Sequence, residues 1–245
     1  MLELKNICFE VLQEGKVKQI LSGINLKLQD EKFTVITGPN GSGKSTLAKI
    51  IIGIEKPTSG EIFFNGINIT DFSITERAQA GISFAFQQPV RFKGITVRDL
   101  IQLAAGRCCD EQKLCSYLLE VGLCARDYME REVDASLSGG ELKRIEIATI
   151  IAKQNTKLAV FDEPEAGIDL WSFHKLIRVF EKMHKAKKRA ILIISHQERI
   201  LNIADEIILI SNGQVKKIGT RDEILPEMMD IVGNCKFYQS EDAVE

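Results

Sequence analysis

The sequence contains no apolar run approaching the ~20 residues that cross a bilayer as a helix. Its opening, MLELKNICFEVLQEGKVKQ, mixes acidic and basic side chains and lacks the apolar core of a secretory signal. These absences predict a chain that neither inserts directly into a membrane nor is exported, so a cytoplasmic location is expected. Charge of one sign is not in surplus either: 32 Lys and Arg face 34 Asp and Glu, a net charge of -2. Without a bulk field, attraction to nucleic acid or anionic lipid is not expected, and no nucleic-acid partner is assigned. The six cysteines, Cys8, Cys108, Cys109, Cys115, Cys124 and Cys235, form no C-x-x-C pair. That argues against a disulfide framework or a zinc site and for reduced thiols. No internal repeat or low-complexity linker divides the 245 residues, which can bury a large core without a metal or disulfide staple.

What is present is an alternation of apolar strands and amphipathic helices. Segments 2–9 and 17–28 read as extended chain around a turn at Gly15, predicting antiparallel strands at a sheet edge. FTVIT at 33–37 is a short buried strand that runs straight into a glycine-rich loop and an apolar helix over 45–52. After a KPTSG turn comes a hairpin-like EIFFNG, and Ser73 with Glu76 has the spacing of a capping box that opens a short helix. GISFAF, ending at Phe86, is the next strand. From about 88 to 151 the apolar spacing is helical, clearest at 108–121 and 140–152, and reads as a helical insertion. Strands return at 158–161, 190–195 and 206–210, with a helix over 169–185 joining the first two in parallel β-α-β order. Asn212-Gly213 predicts a hairpin, and residues from 221 onward read as a helical tail with a frayed acidic end.

Three motifs carry chemistry. GPNGSGKST, from Gly38 through Pro39, Asn40, Gly41, Ser42, Gly43, Lys44 and Ser45 to Thr46, contains G-x-x-x-x-G-K-[ST] between a strand and a helix. Glycines let successive N–H groups turn inward around phosphates, and the helix N-terminus adds partial positive charge. Lys44 is expected to bridge β- and γ-phosphates, Ser45 to ligate magnesium, and Thr46 to donate to the α-phosphate. LAVFDEP at 158–164 is an apolar strand ending in two carboxylates, where a parallel sheet delivers catalytic groups. Asp162 is expected to hold magnesium through water and Glu163 to accept a hydrogen bond from the attacking water as general base. An ordinary acidic turn is the competing reading, which the preceding phosphate loop outweighs. LSGGE at 137–141 precedes an apolar-periodic helix. Its Ser138, Gly139 and Gly140 would let a helix N-terminus approach an anion closely, with a plain N-cap as the competing reading.

A phosphate loop, LSGGE and FDEP in this order resemble the motifs of ATP-binding cassette (ABC) ATPases, and the resemblance covers essentially the whole chain. It implies an α/β fold: a P-loop NTPase-type, mainly parallel sheet core with an antiparallel N-terminal β subdomain and a helical insertion. It implies one domain over 1–245, with 1–87 and 152–245 as catalytic core and 88–151 as the helical subdomain bearing the signature motif. The implied cofactors are ATP and magnesium, and the implied reaction is hydrolysis of ATP to ADP and phosphate. Two copies would close around ATP, the signature loop of one capping the γ-phosphate held by the other, so Ser138, Gly139 and Gly140 would act in trans. Gln87 matches the family's Q-loop glutamine, which contacts magnesium and the water; Gln88 is the register alternative, disfavoured because the family places Gln straight after the aromatic residue. AGID at 166–169 is similar to the D-loop, and His196 matches the switch histidine that contacts the γ-phosphate. His174 and His184 read as structural residues on a helix surface. Where many members stack an aromatic on adenine, the matching position is Val11, with Phe9 two residues earlier, so affinity is expected to rest mainly on the phosphates.

Within the family, SGGELKRIEI, FAFQQP, DEPEAGID and SHQERIL are similar to SufC-type ATPases of the Suf iron-sulfur cluster assembly system. That resemblance implies a SufB- or SufD-like scaffold protein as partner. The stretch 92–133 is shorter than in SufC-like chains, and Ile145 stands where they tend to have Asn. The alternative is the ATP-binding subunit of a membrane transporter, its permease subunit engaging the groove beside Gln87 and the helical insertion. A cassette of DNA repair or translation normally has a long coiled-coil insertion or a second cassette, and neither is present. KAKKR at 185–189 reads as a solvated cationic helix end rather than a nucleic-acid patch. Cys108, Cys109, Cys115 and Cys124 in the insertion read as buried thiols rather than cluster ligands.

Overall fold

The computed structural model describes residues 1–13, 15–106 and 109–233. In chain order the elements are β1 (Leu2–Gln13), β2 (Lys16–Leu28), β3 (Phe33–Thr37), α1 (Lys44–Ile52), β4 (Ser59–Phe64), β5 (Ile67–Asn68), α2 (Ile74–Ala80) and β6 (Ile82–Ala85). There follow α3 (Val97–Ala105), α4 (Glu111–Glu120), α5 (Ala125–Tyr128), α6 (Gly139–Ala152), β7 (Leu158–Asp162), α7 (Leu170–Lys185) and β8 (Ala190–Ile194). The chain then closes with α8 (Glu198–Leu201), β9 (Glu206–Ser211), β10 (Gln214–Gly219) and α9 (Arg221–Gly233). Among the described residues no helix is long and apolar enough to cross a membrane. The residues group into two units, one of 1–29, 33–72 and the described residues from 196, the other of 30–32 and the described residues of 73–195.

In the first unit an antiparallel sheet has the strand order β2-β1-β4-β5. Leu2, Leu4 and Ile7 of β1 and Leu21, Ile24, Leu26 and Leu28 of β2 are buried, the alternation a one-sided sheet requires. β1 is paired on both sides, with β2 and β4, so it is not the edge strand that its sequence predicted. The same unit contains β3, parallel to β9 from Thr34↔Glu206 to Thr37↔Leu209, and β10, antiparallel to β9. Every residue of β3 is buried, as expected of a parallel strand covered on both faces. Asp205 clips its start: Phe33 N–H donates to Asp205 Oδ2 at 2.8 Å and Asp205 N–H to Phe33 O at 2.9 Å. Asn212 and Gly213 join β9 to β10 with φ of 50° and 71°, the left-handed pair of a type I′ turn whose twist matches the strands.

In the second unit β6, β7 and β8 run parallel, with β7 in the middle. α7 connects β7 to β8; Asp169 caps it by accepting from Trp171 N and Ser172 N at 3.0 Å each. Its buried face, Phe173, Leu176, Val179, Phe180 and Met183, follows helical spacing, and Phe180 meets Phe161 of β7 edge-on with ring centroids 5.0 Å apart. Each such side chain contributes about 1.5–3 kcal/mol by leaving water.

Residues 88–96 and 129–138 interrupt the expected helical run: Phe92 N–H bonds Val133 O at 2.7 Å and Val133 N–H bonds Ile95 O at 2.9 Å, and Thr96 forms an isolated bridge with Glu132. Pro89 cannot donate to a helix, and Gly94 sits at φ 78°, so the chain turns back on itself instead. Residues 185–188 of KAKKR are exposed, as a solvated helix end requires, but Arg189 is half-buried and its Nη1 donates to Ile150 O at 2.7 Å, closing the last turn of α6. The described thiols of the insertion are less buried than expected, Cys109 and Cys115 being half-buried and Cys124 exposed where it precedes α5. Cys108, Cys235 and the acidic tail end lie outside the described residues.

Candidate functional site

The phosphate-loop motif lies in the first unit, between β3 and α1. Gly38 has φ 143°, and a Cβ there would fall 1.9 Å from Ile210 O; Gly43, the residue before α1, has φ 95°, and a Cβ there would fall 2.5 Å from Leu21 Cδ2. Both positions therefore admit only glycine, and the chain can wrap tightly. Lys44 is buried, 7% exposed, and its Nζ donates to Gly38 O and Pro39 O at 2.8 Å each, which holds the ammonium against the loop. Ser45 and Thr46 are half-buried in the first turn of α1, and Pro39, Asn40 and Gly41 are exposed. Two buried hydroxyls, Thr37 Oγ1 at the end of β3 and Ser42 Oγ in the loop, have no protein partner. Orphaned donors, a fixed ammonium and a helix N-terminus suit a nucleotide phosphate with its magnesium.

The acidic motif lies in the second unit. Asp162 ends β7 and is 3% exposed. Glu163 follows at φ 43°, a left-handed conformation uncommon for a residue with a Cβ, secured by its N–H donating to Ile194 O at 3.0 Å and its own carbonyl accepting from Ala166 N at 3.0 Å. The turn presents the Glu163 carboxylate to Gln87, whose Nε2 donates to Glu163 Oε2 at 2.5 Å. Gln87 is thus the residue whose side chain reaches the Glu163 carboxylate, and Gln88 lines the same cleft. Ser195 Oγ donates to Glu165 Oε1 at 2.5 Å, steadying the same turn.

The signature-like loop opens α6, also in the second unit. Ser138 is its N-cap, its side chain accepting from Glu141 N at 3.3 Å while Glu141 Oε2 accepts from Ser138 N at 2.8 Å and from Ser138 Oγ at 2.9 Å. The plain capping reading therefore holds, and Ser138 and Gly139 remain exposed. Glu141 also accepts from the Tyr128 hydroxyl; burial pushes its carboxyl up, but these hydrogen bonds outweigh it and hold the group below the usual carboxylate range. Gly140 lies over the AGID turn, where a Cβ would meet Gly167 O at 3.6 Å.

Of the remaining candidates, His196 is exposed just after β8, His174 is exposed and His184 half-buried on α7, and Phe9 and Val11 are half-buried on β1. Sequence reasoning passed over Lys143 and Glu146 of α6. Burial lowers the pKa of the Lys143 ammonium, and burial pushes the Glu146 carboxyl up to about 7 against the opposing pull of Phe86 N–H and Lys143. Nothing in a K-x-x-E spacing separates such a buried pair from an ordinary pair on a helix surface. Among the described residues no group of three or more His, Cys, Asp or Glu is placed to hold a metal ion by itself.

Comparison with known proteins adds four likenesses. Residues 21–166 match the family model described as "ABC transporter". The chain is 43% identical over 226 residues to an uncharacterized ABC transporter ATP-binding protein of Methanocaldococcus jannaschii, covering 89% of this chain and 90% of that one. It is 33% identical over 234 residues to a probable ATP-dependent transporter, ycf16, of Cyanophora paradoxa, covering 89% and 88%. Among solved structures, the dimeric post-hydrolysis state of an ATP-binding cassette bound to ADP and Pi aligns with a TM-score of 0.81 at 25% identity, covering 90% of this chain and 98% of that one.

Proposed function

The chain belongs to the ATP-binding cassette family, and from that premise we propose that it closes as a pair around ATP and so drives a partner protein. Its fold is that of the family's nucleotide-binding cassette, and its reaction is the Mg-dependent hydrolysis of ATP to ADP and phosphate. In this reading residues 1–245 are a single cassette, with 1–87 and 152–245 as core and 88–151 as the helical subdomain. The loop from Gly38 to Thr46 wraps the phosphates with backbone N–H groups, Lys44 bridges the β- and γ-phosphates, and Thr46 donates to the α-phosphate. Ser45, Asp162 and Gln87 are the residues whose motifs would each supply a ligand to magnesium. Magnesium, when bound, offsets the charge that develops on the phosphate oxygens. Glu163 takes the proton of the attacking water, His196 touches the γ-phosphate, and Ser138, Gly139 and Gly140 cap the γ-phosphate held by the second copy. Leu170 and Trp171, 63% and 79% exposed beside the AGID turn, offer apolar surface to that copy.

The observation that carries the reading is the Gln87–Glu163 hydrogen bond. It ties the proposed base to a loop that opens onto a cleft of about 650 Å³ lined by Gln87, Gln88, Pro89, Arg91, Leu142 and Gly167. A partner seated there touches the Gln87 loop and α6 at once. We assign that partner as a membrane-transport permease, with the cassette on the cytoplasmic side; the names of both relatives support this. A second reading, a soluble SufB- or SufD-like scaffold, is favoured by FAFQQP, DEPEAGID and SHQERIL. The test is co-purification from the native cell with the Glu163→Gln variant and ATP, with Lys44→Ala as control. A multi-span membrane protein retained only by Glu163→Gln is expected, and a soluble scaffold retained in its place establishes the second reading. Equal retention by both variants contradicts an ATP-driven partner.

A further inference from the structure

We infer that Lys143 and Glu146 are positioning residues that set the backbone at Phe86 and Gln87 and thereby hold the Gln87 side chain on the Glu163 carboxylate. The two stand three apart on α6, just beyond the signature-like loop, and so share one face of the helix. Lys143 is 0% exposed, and its Nζ donates to Phe86 O at 2.6 Å and Gln87 O at 2.8 Å. Glu146 Oε1 accepts from Phe86 N at 3.0 Å. Phe86 and Gln87 come directly after β6, where the ladder to β7 has ended, so α6 supplies the partners that the sheet no longer does. Three hydrogen bonds from one helix thus fix the two residues whose second member reaches Glu163 at 2.5 Å.

The arrangement costs stability. A fully buried ammonium loses its hydration, and Glu146 Oε2 is buried without a hydrogen-bond partner. A methionine or leucine fills similar space without that cost. The backbone groups that this helix pair engages are those of Gln87 and its neighbour, which is the geometry of a positioning device rather than of a core filler. It also gives α6 two tasks. Its first turn carries Ser138 and Gly139, and its next turns hold the loop that carries Gln87. Where the signature-like loop caps the other copy's nucleotide, the clamp mechanically joins that contact to the Gln87–Glu163 pair of its own copy. The inference rests on the reading of Glu163 as base and Gln87 as its magnesium-side neighbour.

The experiment uses the full chain and measures kcat and ATP affinity for Lys143→Met, Gln87→Ala, the double variant, Glu146→Leu, Glu146→Gln and Glu163→Gln. Lys143→Met is expected to lower kcat about 10-fold or more, because misplacing a reacting group is that costly, while ATP Kd moves by less than about twofold. In the Gln87→Ala background the same change should add less than about twofold, because the group it positions is gone. Glu146→Gln keeps an acceptor for Phe86 N–H and should retain kcat, whereas Glu146→Leu should fall with Lys143→Met. Independent, multiplying effects in the double variant overturn the proposal, as does an equal loss in both Glu146 variants. If Lys143→Met does not fold, the Glu146 pair decides alone. Wild-type turnover by Glu163→Gln would overturn the underlying reading, whereas an inactive Glu163→Gln beside a fully active Lys143→Met would overturn the clamp alone.

Discussion

Lys44→Ala is expected to weaken ATP binding by about 100-fold or more, the loss of about two charge-assisted hydrogen bonds to phosphate at 1.5–3 kcal/mol each. Lys44 is the one cation within the loop from Gly38 to Thr46, and two loop carbonyls at 2.8 Å hold its ammonium in place. Preorganisation of this kind makes the side chain's contribution large, because little rotamer freedom is left to lose when the ligand arrives. The backbone N–H groups and the α1 N-terminus survive the substitution but lack the full positive charge that a triphosphate requires. With Val11 of β1 at the position matched to the family's adenine-stacking aromatic, adenine is not expected to compensate. Calorimetric titration with ATP and magnesium checks this. Affinity within a few-fold of the parent protein would move the main binding energy away from the phosphates.

Glu163→Gln should separate binding from turnover. The substitution keeps size and hydrogen-bonding reach but removes the proton acceptor, so kcat is expected to fall by about 10²–10⁴-fold with little change in ATP affinity. The backbone of Glu163 is already held at φ 43° by the Ile194 and Ala166 hydrogen bonds, and a glutamine imposes no new steric demand there. A lost turnover therefore reports chemistry rather than folding. Phosphate release under saturating ATP is the measurement. Turnover at the parent rate would remove Glu163 from the role of base and point to another group in the Asp162 turn.

Local chemistry was the legible part of this molecule. The phosphate loop, the capping box at Ser73, the N-cap at Ser138 and the Asn212-Gly213 turn depend on a few adjacent residues, so their residue types alone predict the backbone. The fully buried runs of β3, β7 and β8 were equally legible, because continuous apolar strands are what parallel sheets require. What sequence did not show depends on partners far along the chain. The bridge from Thr96 to Glu132, Arg189 folded onto Ile150 and Lys143 buried against Phe86 and Gln87 all join segments that spacing cannot relate. The β1 strand was recognised, but its pairing on both sides was not, because alternation marks which face is buried and not how many neighbours a strand has.

The central claim, that two copies close around ATP, is tested most directly by the solution mass of the Glu163→Gln variant in analytical ultracentrifugation. With ATP and magnesium the account predicts a dimer, and with ADP or without nucleotide a monomer, because the nucleotide itself forms much of the contact. A monomer under saturating ATP, or a dimer that persists without nucleotide, would contradict it.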